Sequence, residues 1–179
     1  DMALSPDEAY SFVLYQISAL AGFCKAEGTA LAHVKPHGQL YNRAAKDTAL
    51  AEAIAAAVHD FDPTLVLVGL AGGKLIEAGR AANLATAQEF FADRNYMADG
   101  TLVPRKQENA VIADEDFAVA RVVRAVQEGA IEAVDGSTIE VAADTICIHG
   151  DNAHALEFAK KIRTALAQAD VELKPCRAQ

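Results

Sequence analysis

The chain has 179 residues, 52% of them hydrophobic, with 16 basic against 25 acidic side chains and a net charge of −9. That length suits one domain with a sizeable core, and the apolar content excludes a disordered chain. The acidic balance excludes the basic face that nucleic-acid binding requires and disfavours anionic membranes, and no apolar run approaches the roughly 20 residues of a membrane span.

Asp1-Met2-Ala3-Leu4 lacks the basic start and apolar stretch of a signal peptide. Cys24, Cys147 and Cys176 are odd in number and far apart, without a CxxC, so a reducing, cytoplasmic location is expected.

Ser5-Pro6-Asp7-Glu8 reads as a helix start: Ser5 caps, Pro6 suits the first helical position and the two acids favour the dipole. Ala9, Phe12, Val13, Ile17, Leu20 and Ala21 then recur at helical spacing until Gly28. Leu31 to Lys35 is predicted as a short buried strand, Pro36-His37-Gly38 as a turn, and Thr48 to His59 as the second helix. Thr64 to Val68 is continuously apolar, as a parallel strand covered on both faces should be. The Gly69-Leu70-Ala71-Gly72-Gly73 turn leads into a helix ending near Ala82. Leu84 to Gln88 is a further strand, and Glu89 to Val103 a long polar loop. Asp114 caps a helix to Glu128. Ile131–Val134 and Thr138–Val141 flank Asp135-Gly136 as a hairpin. Asp144 to Ile148 is a strand, Ala153 to Ala169 the last helix with Asp151 or Asn152 as its cap, and Val171 to Leu173 a terminal strand before a loose tail.

Strands alternate with helices, so the fold is α/β with a mostly parallel sheet of about four strands plus the hairpin. No repeat or linker interrupts it, so residues 1–179 form a single β/α domain. A closed β/α barrel needs roughly eight strands and about 250 residues, so a barrel would be incomplete here.

Chemistry collects where parallel strands end and helices begin. His149 and Asp151 follow the apolar run Ile146–Ile148. Either they are acid/base groups or metal ligands, or the His is satisfied by backbone and the Asp merely caps a helix. At the other His–Gly junction, His33 and Lys35 share a strand face, His37 sits in the turn, and Tyr41 and Asn42 follow. Lys35 and His37 either bind an anionic substrate or phosphate, or Lys35 pairs with an acid and Pro36–Gly38 only shape the turn. His33 and His37 as i, i+4 metal ligands would require a helix that Pro36 opposes. Glu89 or Asp93 can be an acid/base or ligand with Arg94 or Arg105 as an anion clamp; otherwise Asp93 and Arg94 are solvated loop charges and Phe90-Phe91 is core. Gly69 to Lys74 departs from a P-loop, which has four residues between the glycines and Ser or Thr after the Lys. The bland reading there is a tight strand-to-helix turn. No G-x-S-x-G elbow is present, and Cys147 reads as core.

His33-Val34-Lys35-Pro36-His37-Gly38-Gln39-Leu40-Tyr41-Asn42 resembles the VKPHGALYN motif of the LamB/YcsF family. Glu89-Phe90-Phe91-Ala92-Asp93-Arg94-Asn95-Tyr96, with Asp99-Gly100-Thr101-Leu102-Val103-Pro104-Arg105, is similar to that family's E-x-FADR-x-Y and DG-x-LV-x-R block. Thr145-Ile146-Cys147-Ile148-His149-Gly150-Asp151 matches TICVHGD. The resemblance runs over nearly the whole chain. Family motifs resembling NCDLGES, HAGD and GAHPG-x-PD do not occur in it.

The resemblance implies a parallel β/α barrel of the glycoside hydrolase/deacetylase type, incomplete at the N-terminus and about the C-terminal two thirds of a larger barrel. It implies the A subunit of an ATP-dependent 5-oxoprolinase, a lactam hydrolase opening 5-oxoproline (pyroglutamate) to L-glutamate with two other subunits, and a homo-oligomer is expected. His37, Glu89, Asp93, His149 and Asp151 would then be the catalytic set, and Lys35, Tyr41, Asn42, Arg94 and Arg105 the substrate- or phosphate-binding set. ATP is the implied cofactor, on this subunit or a partner; a divalent metal on His33, His37 or His149 is the other candidate. Two further readings stand beside this one: a metal-dependent carbohydrate amide hydrolase of the same superfamily, and a non-catalytic substrate-binding subunit.

Overall fold

The computed structural model describes residues 3–150 and 154–176. It divides into two compact units, residues 1–88 with 176–179 and residues 89–175.

In the first unit, α1 (Pro6–Ala26) starts on a capping box in which Ser5 and Glu8 satisfy each other's backbone amides. It buries Ala9, Val13 and Ile17, and its main packing partner is α3 (Thr48–Phe61). Asp47 caps α3 by accepting from the Leu50 amide at 3.1 Å. Alanines at 51, 55 and 57 are fully buried there, which lets the helices approach closely around Leu50 and Ile54. Each large aliphatic side chain so buried contributes roughly 1.5–3 kcal/mol.

β1 (His33–Val34) pairs parallel with β2 (Val66–Leu70), His33 opposite Val66 and Val34 opposite Leu67, and β3 (Ala85–Phe91) lies on the other side of β2. All five residues of β2 are buried, as its unbroken apolar run requires. β2 runs from Val66 rather than Thr64, because the Thr64 amide and hydroxyl are both tied to Asp62 Oδ1, at 2.9 and 2.7 Å, in a local turn. It reaches Leu70 because Gly69 has no Cβ to meet Leu75, whose nearest side-chain atoms would stand 3.2 Å away. α4 (Lys74–Ala81) follows, its Gly79 lying against Leu67 and Thr86.

Three further expectations change in this unit. Leu31–Lys35 carries only the two-residue β1. A short helix, α2 (Gly38–Ala44), follows the Pro36 turn; seven residues are too few to show a periodicity, and burial of Tyr41 and Ala44 fixes it. The chain end is not loose throughout, since Cys176 packs against Val66, Val68 and Ala87.

In the second unit, Glu89–Phe91 of β3 pairs parallel with β6 (Thr145–Cys147). The expected loop from Glu89 therefore begins three residues later, because β6 supplies those residues with hydrogen-bond partners. The loop itself is not polar throughout: Tyr96, Val103 and Ala110 are buried, and isolated bridges join Arg94 to Val111 and Tyr96 to Leu102. α5 (Glu115–Glu128) has Asp114 as its cap, accepting from the amides of Asp116 and Phe117, both at 3.0 Å. β4 (Ala130–Glu132) and β5 (Thr138–Glu140) form the antiparallel hairpin, turned at Gly136 with φ +83°. α6 (Ala155–Gln168) has His154 at its N-cap position; Asp151 and Asn152, the expected caps, lie outside the described residues. Residues 171–173 form no strand: Asp170 turns left-handed, with φ +58°, and the Val171 amide folds back onto the Leu166 carbonyl.

The fold is thus mixed α/β, with the β1–β2 and β3–β6 pairs parallel and one separate antiparallel hairpin.

Candidate functional site

Strand alternation sorts the second unit's residues into two faces. Phe90 and Ile146, paired across β3 and β6, point one way. Glu89 and Phe91, paired with Thr145 and Cys147, point the other. Glu89 is a carboxylate only 4% exposed on this second face. Opposite it, the buried Thr145 hydroxyl finds no hydrogen-bond partner among the described residues. Cys147 is half-buried within β6, its carbonyl taken by the Ala92 amide at 3.0 Å.

Both strands end within two residues of a candidate side chain. Asp93 sits in the turn after β3, and His149 follows β6. His149 Nδ1 lies 2.6 Å from Asp93 Oδ2 and 2.9 Å from Oδ1. The two side chains, His149 and Asp93, are 21% and 15% exposed, so the contact is sheltered but reachable. The Phe91 ring, tilted 36° at 5.6 Å, flanks the imidazole. An ionised carboxylate can only accept, so the pair it forms with an imidazole here has Nδ1 donating, and a neutral ring in that tautomer carries its lone pair on Nε2.

The turn holding Asp93 is built on buried arginine. Arg94, 4% exposed, spends its guanidinium on two main-chain carbonyls: Nε donates to Ala110 at 3.0 Å and Nη2 to Val103. Burial first, and then the positive charge of Arg105, pull its pKa below the usual guanidinium range. The expected alternative, solvated charges at Asp93 and Arg94, is therefore overturned, while Phe90 and Phe91 are core as that reading had it. Arg94 is a structural brace, and its donors serve the chain. Arg105 is exposed on the same loop.

Tyr96 stacks on Phe90 at 5.5 Å and accepts the Phe91 amide at its hydroxyl, 2.9 Å away. Burial raises its pKa well above the ordinary phenol value. Arg121, from α5, completes this layer, with its guanidinium 5.2 Å from the centroids of both Phe90 and Tyr96. Sequence reasoning missed Arg121. It lies in an amphipathic helix among several charges, and only its burial, 6% exposed, sets it apart.

In the first unit, Lys35 follows β1 half-buried, with Nζ 5.9 Å from the centre of the buried Tyr41 ring. His37, exposed, is the N-cap residue of α2 but makes no side-chain cap bond, and Asn42 is exposed on that helix. His33 is exposed in β1. Between β2 and α4, residues 71–73 are a tight turn: Gly72, with φ +70°, donates its amide to Gln88 Oε1 at 3.1 Å, and Lys74 at the start of α4 pairs with Glu77 at 2.8 Å. Among the described residues no three His, Cys, Asp or Glu side chains come together as a metal would need. Asp151 lies outside the described residues.

The model of the LamB/YcsF family matches residues 1–179 of the chain. The A subunit of 5-oxoprolinase from Tolumonas auensis is 58% identical over 174 residues, 97% of this chain and 69% of that protein. Namesakes from Geobacillus kaustophilus and Bacillus subtilis are 55% and 54% identical, covering 98% and 97% of this chain and 69% and 67% of theirs. The crystal structure of a lactam utilization protein from Thermus thermophilus superposes with a TM-score of 0.87 at 49% identity, over all of this chain and 70% of that one.

Proposed function

As the chain belongs to the LamB/YcsF family, we propose that it acts as the A subunit of a 5-oxoprolinase, opening the lactam of 5-oxoproline to L-glutamate with ATP and with other subunits. Its strands are read as part of a β/α barrel of the glycoside hydrolase/deacetylase type. The observation that carries the chemical reading is the Asp93–His149 pair at the ends of neighbouring parallel strands.

A lactam is a stable amide, and its hydrolysis needs an activated carbonyl, an activated water and a protonated leaving nitrogen. ATP, when bound, would supply the first as a phosphoryl donor to the carbonyl oxygen. His149 Nε2 takes a proton from water while Asp93 holds Nδ1–H and stabilises the imidazolium that forms. The water oxygen bonds to the carbonyl carbon, the carbon–nitrogen bond breaks, and the nitrogen receives the proton from His149; the acyl phosphate so formed takes a second water, releasing inorganic phosphate and leaving the side-chain carboxylate of glutamate. Glu89, buried on the same strand face, is assigned to proton handling with them. In the second unit Arg105 is assigned to the substrate carboxylate or a phosphate; in the first unit, taken by itself, Lys35, His37 and Asn42 are assigned to an anion or substrate contact. Among the described residues no three His, Cys, Asp or Glu side chains group as metal ligands, and the roles assigned here are those of the chain's own side chains.

The test is glutamate release from 5-oxoproline by the full complex, with and without ATP, comparing the wild-type chain with His149→Ala. ATP-dependent release that His149→Ala abolishes is the expected result. Release that survives His149→Ala would reduce this chain to a binding role. Absence of release from the intact complex would overturn the substrate.

A further inference from the structure

Arg121 Nη1 donates to the main-chain carbonyl of Arg94 at 2.9 Å, one residue beyond Asp93. The carbonyl of Asp93 itself accepts the Ile112 amide at 2.9 Å. Two consecutive carbonyls are thus held, one by the loop's own backbone and one by a side chain from a helix. Between them they set the turn from which the Asp93 carboxylate reaches His149.

For stability, an arginine here both costs and returns free energy. Taking a guanidinium out of water is costly, and replacing buried ions by apolar side chains of similar size is often neutral or favourable. Contact with the Phe90 and Tyr96 rings returns part of that cost. Nη2 makes no hydrogen bond among the described residues, so the group is not fully compensated. A methionine would fill the same space against the two rings without the desolvation cost. It could not donate to the Arg94 carbonyl.

We propose that Arg121 is a positioning residue: its hydrogen bond to the Arg94 carbonyl fixes the turn that aims Asp93 at His149 Nδ1. This rests on the reading of Asp93 and His149 as the proton-handling pair, and it adds a residue from α5 to that site.

The experiment is a double-mutant cycle in the full complex, with 5-oxoproline and ATP, on Arg121→Met, Asp93→Asn and the pair. Arg121→Met should lower kcat roughly 10–100-fold with KM within about twofold, as a misplaced catalytic group does. Added to Asp93→Asn, it should cost less than about twofold more, because both changes break one linkage. A kcat within about twofold of wild type for Arg121→Met, or a full multiplicative loss in the pair, overturns the positioning role. Asp93→Asn at wild-type kcat fails separately, on the dyad reading itself. Should Arg121→Met not assemble, Arg121→Lys carries the test, keeping the charge but losing the planar fork. Nitrogen-15 spectra of His149 in that variant should show loss of the single Nδ1-protonated tautomer. An unchanged spectrum with unchanged kcat overturns the proposal.

Discussion

Asp93 and His149 are 56 positions apart in the chain, and their side chains meet at 2.6 Å. The meeting follows from strand pairing: Phe91 of β3 is in register with Cys147 of β6, so the residue two beyond each strand end reaches the same spot. His149→Ala should lower kcat for 5-oxoproline by roughly 10²–10⁴, the usual range for a general base. Asp93→Asn should lower it too, since an amide cannot hold the imidazole in the same charged hydrogen bond. Steady-state kinetics of the assembled complex checks both.

Arg94 is expected to be a stability residue. Arg94→Met takes the side-chain donor from the Val103 carbonyl and leaves the Ala110 carbonyl with the Asn95 amide alone, at roughly 1–3 kcal/mol for a buried group left unpaired. Arg94→Lys should recover only part of this, because one ammonium cannot reproduce the two-carbonyl fork. Urea unfolding of the variants measures the difference.

Tyr96 makes stability fall at alkaline pH. Its folded pKa is raised by burial, while the unfolded phenol titrates near 10. Below pH 10 both states keep the proton and stability is unaffected. Above it the unfolded state loses the proton first, so the folded state is progressively disfavoured as pH rises toward the folded value. Unfolding midpoints from pH 8 to 11 should therefore decline more in wild type than in Tyr96→Phe.

Gly79→Ala should destabilise despite a better helix former. The gain in propensity is about 1 kcal/mol. The new Cβ would stand 2.8 Å from Thr86 Cγ2 and 3.1 Å from Leu67 Cδ2, and overpacking of that kind costs about 1–3 kcal/mol. Thermal unfolding should show a net loss, and pairing the change with Thr86→Ser, which removes the nearest methyl, should recover most of it.

Local signals were legible along the chain. The Ser5–Glu8 box, the Asp114 cap and the Asp135-Gly136 turn act over three or four residues, so their chemistry is complete in the sequence. The unbroken apolar run of β2 announced a doubly covered strand for the same reason. Motif spacing also identified the family and put Asp93 and His149 among the candidates. What tertiary structure decided was partnership. Glu89 belongs to a strand because Thr145 stands opposite it, and α2 exists because Tyr41 and Ala44 are buried. Arg94 turned from a candidate anion clamp into a brace because Val103 and Ala110 present carbonyls to it, and Arg121 acquired a role because the Arg94 carbonyl lies within its reach. A side chain's residue type sets what it can donate or accept; which group it meets depends on pairings across tens of residues, and those are fixed only when the whole chain has packed.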